Sequence, residues 1–324
     1  MKKILMGKIA DKIIDTNLGM EKGESLLIVT EPEKLSIAEV IAASAVRKDI
    51  EPVISIMMPR EYDSSEPPEI IASAMKSSDA FLSVVGKSIT HTNAVKDAIA
   101  NGSRGLVLTQ FSEDMMIHGG MECDFEIQAP LCKKISSILE AGSEFHLTTQ
   151  LGTDLKFNAK GRRGNALYCM VEEGQFSTAP TIEANVSPIE GTAQGKIVAD
   201  ASVPYIGIGL LSEQIELEVK DGFITEISGG SQAKRLEENL ASMNDPNVYN
   251  IAELGIGLNP KCRFIGLMLE DEGVFGSCHI GIGTRINLGG ELKAACHYDV
   301  IMTKPTIVVD GKEILRDGEV LVEV

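Results

Sequence analysis

The run Ser25-Leu26-Leu27-Ile28-Val29-Thr30 is a short, continuous apolar stretch, which is typical of a buried strand. An Ala-rich segment with helical spacing follows at residues 36–47, and a second strand pattern, Pro52-Val53-Ile54-Ser55-Ile56-Met57, comes next. The alternation continues to residue 142, with strands expected at residues 80–85 and 104–109 and helices at residues 9–18, 68–75, 92–100 and 124–140. Strands that alternate with helices of this size predict a doubly wound parallel sheet, covered by helices on both faces.

The sequence becomes β-rich after residue 142, where alternating patterns are separated by Gly-containing turns. The elements expected there are hairpins at residues 144–158, 215–227 and 306–314 and a helix at residues 231–243. The fold prediction is therefore α/β, with an N-terminal doubly wound domain at residues 1–142. A C-terminal, β-rich α+β domain, expected to bind metal, is predicted at residues 143–324.

Composition excludes several classes of function. The 324-residue chain has 30 Lys and Arg against 47 Asp and Glu, and its net charge of -17 argues against a nucleic-acid partner. Lys8, Asp11 and Lys12 interrupt the N-terminal apolar run, and no run approaches the roughly 18 apolar residues of a membrane span. The six cysteines have no paired spacing, as expected of free thiols in a reducing cytoplasm. We therefore expect a cytoplasmic protein without nucleic-acid or membrane partners.

Histidines and acidic residues near the C-terminal end carry the strongest chemical signal. His297 and Asp299 are two residues apart, so on a strand both side chains leave the same face. An acidic run at residues 270–272 comes just before His279, and imidazoles and carboxylates that converge on one face bind divalent metals. The sequence therefore predicts a metal site. The two segments that carry it are Ser277-Cys278-His279-Ile280-Gly281 and Ala295-Cys296-His297-Tyr298-Asp299.

Glu253 is a lone charge in the apolar segment Ile251-Ala252-Glu253-Leu254-Gly255-Ile256-Gly257. A buried carboxylate is costly unless something compensates it, and a divalent cation does so. Cys278 and Cys296 each precede a histidine, which raises the alternative of a Cys2His2 zinc site. Neighbouring residues on a strand point to opposite faces, so this alternative is disfavoured. The segment Val85-Gly86-Lys87-Ser88 lacks the first Gly of a phosphate-binding loop.

The chain resembles the thermophilic aminopeptidase T family of metallopeptidases over essentially its whole length, most closely from residue 144 onward. Four features carry the resemblance: a Pro-rich loop with a Glu, an apolar segment with a Glu, an acidic pair that leads to Ser-Cys-His, and a His-x-Asp pair. In this chain they are Pro180-Thr181-Ile182-Glu183-Ala184-Asn185-Val186-Ser187-Pro188, Ala252-Glu253-Leu254-Gly255, Asp271-Glu272 with Ser277-Cys278-His279, and His297-Tyr298-Asp299.

The resemblance implies a metal-dependent hydrolase in which a water activated by two metals attacks an amide beside a free amino group. It implies a pair of zinc, cobalt or manganese ions, a small peptide or small-molecule substrate, and a homodimer. Glu183 and Glu253 would be catalytic. The implied metal ligands are Glu183, Glu253, Glu272, His279, His297 and Asp299. Ile286 stands where that family has a catalytic Tyr, and neighbouring Arg285 is a candidate to replace it.

A second resemblance is to the family of 2,5-dihydroxypyridine 5,6-dioxygenase, a mononuclear-iron relative of the same fold. It is carried by the segment from Gly222 to Asp299, with Gly229-Gly230, Asp245-Pro246-Asn247-Val248-Tyr249, Gly257-Leu258-Asn259-Pro260 and Gly289-Gly290. That family has a His at the position of Glu253 and lacks counterparts of Glu183 and His279. The ligand set therefore favours the hydrolase. The alternatives are a ring-cleaving dioxygenase with one Fe(II) and a metal-binding homologue with altered or no activity.

Overall fold

The structure, a computed structural model, describes residues 1–90, 92–286 and 289–324. Its helices are α1 Lys2–Lys12, α2 Leu35–Arg47, α3 Glu69–Ser77, α4 Asn93–Ala100, α5 Phe125–Ala141, α6 Ser231–Ser242 and α7 Met268–Asp271. Its strands are β1 Ser25–Thr30, β2 Glu51–Ile56, β3 Ala80–Val85, β4 Arg104–Thr109, β5 Glu144–Thr148, β6 Asp154–Asn158, β7 Gly164–Leu167, β8 Phe176–Thr178, β9 Glu183–Val186, β10 Gln194–Ala199, β11 Ser202–Val203, β12 Gly209–Leu210, β13 Ile215–Lys220, β14 Phe223–Gly229, β15 Ile251–Gly257, β16 Cys278–Gly283, β17 His297–Met302, β18 Thr306–Val309, β19 Lys312–Arg316 and β20 Glu319–Val320. A five-stranded parallel sheet and two large antiparallel sheets confirm the predicted α/β class.

The first compact unit comprises residues 1–125 and 167–180. Its sheet has the strand order β2-β1-β3-β4-β8, and each of these neighbouring pairs is parallel. Side chains on both faces of β1 and β3 are buried, so the sheet is covered on both sides, as the continuous apolar runs predict. On one face, Leu27, Val29 and Phe81 pack with Ile71 and Met75 of α3.

The second unit comprises residues 126–166 and 181–324. It contains an eight-stranded sheet, β14-β13-β10-β6-β5-β18-β19-β20, and a seven-stranded sheet, β12-β11-β17-β16-β15-β9-β7. The three predicted hairpins are present as the antiparallel pairs β5 with β6, β13 with β14 and β18 with β19. Helix α6 begins at Ser231, as predicted. The seven-stranded sheet is the one that carries the candidate site.

The compact units divide the chain at residues 125, 166 and 180, because β8 joins the parallel sheet from a segment that follows α5. Residue 142 lies inside the second unit, directly after the end of α5. The boundary between folding domains near residue 142 stays a prediction. Across residues 1–90, 92–286 and 289–324, no helix combines the length and the apolar character that a membrane span requires.

Candidate metal centre

Four adjacent strands of the seven-stranded sheet, β9, β15, β16 and β17, carry the candidate centre. The register sets each of its side chains opposite a glycine of the next strand. The pairs are Glu183 with Gly257, Glu253 and Asp299 with Gly281, His279 with Gly255, and His297 with Gly283. Because strand side chains alternate between faces, the polar set occupies one face, while Leu254, Ile256 and Ile280 lie on the other and are buried.

The glycines of β15 and β16 provide the space that these side chains occupy. A Cβ atom added at Gly255 would lie 2.0 Å from Nε2 of His279. One added at Gly281 would lie 2.7 Å from Cε1 of His297 and 2.8 Å from Cβ of Glu253. Real Cβ atoms do not approach other atoms this closely, so each imidazole lies directly over a glycine. Glycine at positions 255 and 281 therefore provides the room that the two imidazoles need.

The side chains form two groups that share Glu253. Glu183, Glu253 and His279 make up the first group, and Glu253, His297 and Asp299 make up the second. In each group the potential ligand atoms lie within 4.8 Å of one another. Nε2 of His297 lies 3.1 Å from Oε2 of Glu253 and 3.4 Å from Oδ1 of Asp299. Nε2 of His279 lies 3.6 Å from Oε2 of Glu183. The structure thus brings together five of the six predicted ligands as potential ligand groups.

The acidic run at residues 270–272 divides its side chains among three environments. Glu270 lies 3.6 Å from Nε of Arg263, and Asp271 accepts hydrogen bonds from backbone N–H groups at residues 265 and 266. Glu272 is buried and faces the centre, where its Oε1 lies 3.1 Å from the Tyr205 hydroxyl oxygen. Among the described residues, Glu272 belongs to neither ligand group. Its assignment as a metal ligand stays a prediction.

Tyr205 is a residue of the centre that the sequence analysis missed. Its hydroxyl lies 2.6 Å from Oδ2 of Asp299, and its side chain is buried. It follows the two-residue strand β11, which pairs with β17 at Ser202 and Ile301. Locally, the sequence offers only the rarity of aromatic residues, which make up 4% of the chain, as an indication that Tyr205 matters. The contact joins positions 94 residues apart, so it depends on the pairing of strands.

Backbone and amide groups fix the orientation of the potential ligands. Nδ1 of His297 lies 2.8 Å from the carbonyl oxygen of Thr284, which can only accept a proton, so Nδ1 donates and Nε2 faces the carboxylates. The amide of Asn185 donates to Oε1 of Glu183 at 2.7 Å and accepts from Asn165 at 2.7 Å. These bonds leave Nε2 of His297 and Oε2 of Glu183 directed into the centre.

Burial controls the charge state of the centre. It raises the pKa of Glu183 to about 7, and the nearby charge of Glu253 adds to this rise. It also raises the pKa values of Glu253 and Glu272. Burial alone would raise the pKa of Asp299, but the neighbouring His297 imidazolium lowers it instead. Burial opposes the charged form of His297, yet the carboxylates of Asp299 and Glu253 raise its pKa well above the ordinary value. Several buried carboxyl groups therefore lie around few positively charged side chains.

This donor set fits a divalent cation. Glu183, Glu253, Glu272 and Asp299 would carry four negative charges if ionised. A histidine that binds a metal is neutral, so a divalent cation would offset two of these four charges. Oδ1 of Asp299 is buried and accepts no hydrogen bond from the described residues, as expected of an oxygen reserved for a cation. Mixed carboxylate and imidazole donors suit iron, manganese or zinc.

Arg285 does not replace the missing family Tyr. Its guanidinium is fully buried and donates to the carbonyl oxygens of Pro188 and Ile251 and to the side-chain oxygen of Asn250. Burial lowers its pKa to about 10. Arg285 therefore fixes the start of β15, and the idea that it assists the reaction electrophilically is wrong. Ile286 is 48% exposed.

The sequence is similar to those of 2,5-dihydroxypyridine 5,6-dioxygenases. The family described as NicX, 2,5-dihydroxypyridine 5,6-dioxygenase, matches residues 19–322. A 2,5-dihydroxypyridine 5,6-dioxygenase of Pseudomonas putida is 30% identical over 198 residues, which cover 57% of this chain and 56% of that protein. The matched part thus spans little more than half of the relative's length.

Two solved structures share the fold. The 2,5-dihydroxypyridine dioxygenase of Pseudomonas putida KT2440 has a TM-score of 0.84 at 18% identity, covering 99% of this chain and 98% of that one. Wild-type AmpT of Thermus thermophilus has a TM-score of 0.72 at 16% identity, covering 99% of this chain and 100% of that one. These identities show similarity of fold alone.

The predicted function, a metal-dependent aminopeptidase-like hydrolase, is wrong, and so are the classes hydrolase, aminopeptidase and metalloprotease. The family match and the 30%-identical relative are both dioxygenases. The prediction gave more weight to the types of the potential ligands than to the backbone pattern around them. One fold supports both dioxygenase and AmpT structures, and ligand types that suit several metals do not by themselves select a reaction.

Proposed function

We propose that this chain, which belongs to the NicX family of 2,5-dihydroxypyridine 5,6-dioxygenases, cleaves the ring of a dihydroxylated pyridine or a similar nitrogen heterocycle. Both atoms of dioxygen would add to two neighbouring ring carbons, and the bond between those carbons would break. The family match over residues 19–322 carries the proposal. The buried group of Glu253, His297 and Asp299 supports it, because a redox-active metal held there would activate dioxygen for ring cleavage.

Glu253, His297 and Asp299 would hold one ferrous ion. Non-haem iron oxygenases commonly use two histidines and one carboxylate, whereas this group has one imidazole and two carboxylates. The additional carboxylate brings more negative charge and harder oxygen donors, which also favour manganese. Iron is the proposed metal because of the family. Metal analysis of the active protein would show whether it contains manganese instead of iron.

Iron in this position would supply the electron transfer that lets dioxygen react with an electron-rich ring. The residues of the chain would position the ring and exclude water. Glu183 and His279, which lie beside Glu253, offer a carboxylate oxygen and an imidazole nitrogen to ring hydroxyl groups. Both side chains are almost completely buried, so hydrogen bonds that they make to a substrate would lie away from competing water. This is the role we propose for Glu183 in place of catalysis on a peptide.

The direct test is oxygen uptake by protein loaded anaerobically with Fe(II) and then mixed with 2,5-dihydroxypyridine in air-saturated buffer. We expect one dioxygen consumed per molecule of substrate, with loss of the ring absorbance. His297→Ala should lose both iron and activity. His118→Ala removes an exposed histidine of the other unit and should keep both. Absence of uptake by iron-loaded wild type with every dihydroxypyridine tested would refute the proposed function.

The centre could also hold a second cation, in the ligand group that contains Glu183 and His279. Glu183, Glu253 and His279 would hold it, and Glu253 belongs to both groups of potential ligands. Elemental analysis of native protein distinguishes the two cases, because one iron per chain supports the mononuclear centre and two ions support the shared one. A homodimer and a small-molecule substrate remain parts of this proposal, and light scattering would measure the oligomeric state.

A further inference from the structure

Tyr205 connects the edge of the seven-stranded sheet to the metal centre. Its side chain is 5% exposed, and its ring packs against that of Tyr298 with the centroids 4.8 Å apart. The hydroxyl lies 2.6 Å from Oδ2 of Asp299 and 3.1 Å from Oε1 of Glu272. A hydroxyl has one proton to donate, and the shorter distance assigns that donation to Oδ2 of Asp299.

The two oxygens of Asp299 are in different environments. Oδ2 has the short bond to Tyr205, whereas Oδ1 accepts no hydrogen bond from the described residues and lies 3.4 Å from Nε2 of His297. A hydroxyl that donates to one carboxylate oxygen occupies it and fixes the rotation of the whole group. Only Oδ1 is then presented to the position between Glu253 and His297.

We propose that Tyr205 is a positioning residue that makes Asp299 a one-oxygen ligand by holding Oδ2 away from the metal. The inference rests on the proposed metal site and adds a residue that the family match does not assign. Binding through one oxygen would leave more room at the metal for a substrate than binding through both. Without the hydroxyl, both oxygens of Asp299 could turn to the metal and take up that room.

Tyr205→Phe and Tyr298→Phe form a matched pair for the test. Each variant keeps its ring and the ring contact but loses one hydroxyl. The hydroxyl of Tyr298 donates to Oδ1 of Asn239 at 3.1 Å. Tyr205→Phe removes the hydrogen bond to Asp299, a potential ligand, whereas Tyr298→Phe removes the hydrogen bond to Asn239. Thermal denaturation of both metal-free variants measures any general effect on folding.

The measurement is titration of the metal-free proteins with Co(II), followed by visible absorption, which reports the number and geometry of ligands. We expect Tyr205→Phe to change the absorption bands and to alter cobalt affinity by about 10–100-fold, the usual effect of losing a group that orients a ligand. Tyr298→Phe should match wild type in both. If Tyr205→Phe has the wild-type spectrum and affinity, the inference is overturned while the proposed function stands. If wild type binds neither cobalt nor iron, both are overturned.

Discussion

Replacing Glu183 by Gln should stabilise the metal-free protein at neutral and alkaline pH. The carboxyl group is buried, and its surroundings raise its pKa from the ordinary value of 4.5 to about 7. Gln has nearly the same shape, and its oxygen can keep the 2.7 Å hydrogen bond from Asn185. The substitution therefore removes a buried charge while it preserves most contacts.

The magnitude follows from the two pKa values. A carboxyl group whose pKa is higher in the folded state makes wild type most stable below about pH 4.5. This stability is lost as the pH rises towards 7, because the folded protein must then ionise a buried group. One pKa unit corresponds to about 1.4 kcal/mol, so the loss above pH 7 is on the order of 3 kcal/mol. Gln does not titrate, so the variant should escape this loss.

Urea denaturation of chelator-treated protein at several pH values from 4 to 8 would measure the effect. The chain has no Trp, so circular dichroism is the suitable signal. The free energy of unfolding of Glu183→Gln relative to wild type should rise between pH 4.5 and 7 and then stay constant. Glu237→Gln, on the exposed side of α6, is the control for the same change at the surface. A difference that does not vary with pH, or that falls as the pH rises, would refute the reasoning.

Three further substitutions test separate parts of the structure. Gly281→Ala should destabilise the protein by about 1–3 kcal/mol and abolish metal binding, measured by denaturation and metal analysis, because its Cβ would lie 2.7 Å from Cε1 of His297. Arg285→Met should cost about 3 kcal/mol or more in urea denaturation, because buried carbonyl oxygens would lose their donor. Asp79→Asn should lower stability at pH 7 by about 0.5–1 kcal/mol, since solvent screens this exposed group. Hydrogen bonds from Ser25 lower the pKa of Asp79, so wild type has this stabilisation above about pH 3.8 and loses it in acid. Equal unfolding free energies of Asp79→Asn and wild type at pH 7 would contradict the prediction that Asp79 stabilises the protein.

The regular elements were accessible from the sequence because their signals are local. Alternating strands and helices predicted the parallel sheet, and turn residues at Lys220-Asp221-Gly222 predicted the hairpin of β13 and β14. The spacing of His297 and Asp299 predicted a shared face, and both side chains do reach one ligand group. Strand β8 was missed, because three residues from a separate segment complete the parallel sheet. No periodicity within those residues indicates which strand they join.

Predicting the function required a choice between the aminopeptidase and dioxygenase resemblances. The types of the potential ligands alone favoured the aminopeptidase, which is wrong. Glu183, Glu253 and His279 do converge, but the fold that brings them together occurs both with a dioxygenase and with AmpT. The family match over residues 19–322 separates the two.

By itself, the sequence determined which residue types can meet on a strand face, since side-chain alternation is a property of the chain. Only the tertiary structure decided which carboxylates share a cation position and which have other partners. Asp271 and Glu272 are neighbours in sequence, yet the first holds a backbone turn and the second faces Tyr205. The physical reason is that burial and hydrogen-bond partners come from strands far apart in the chain, and they set the charge and direction of each group.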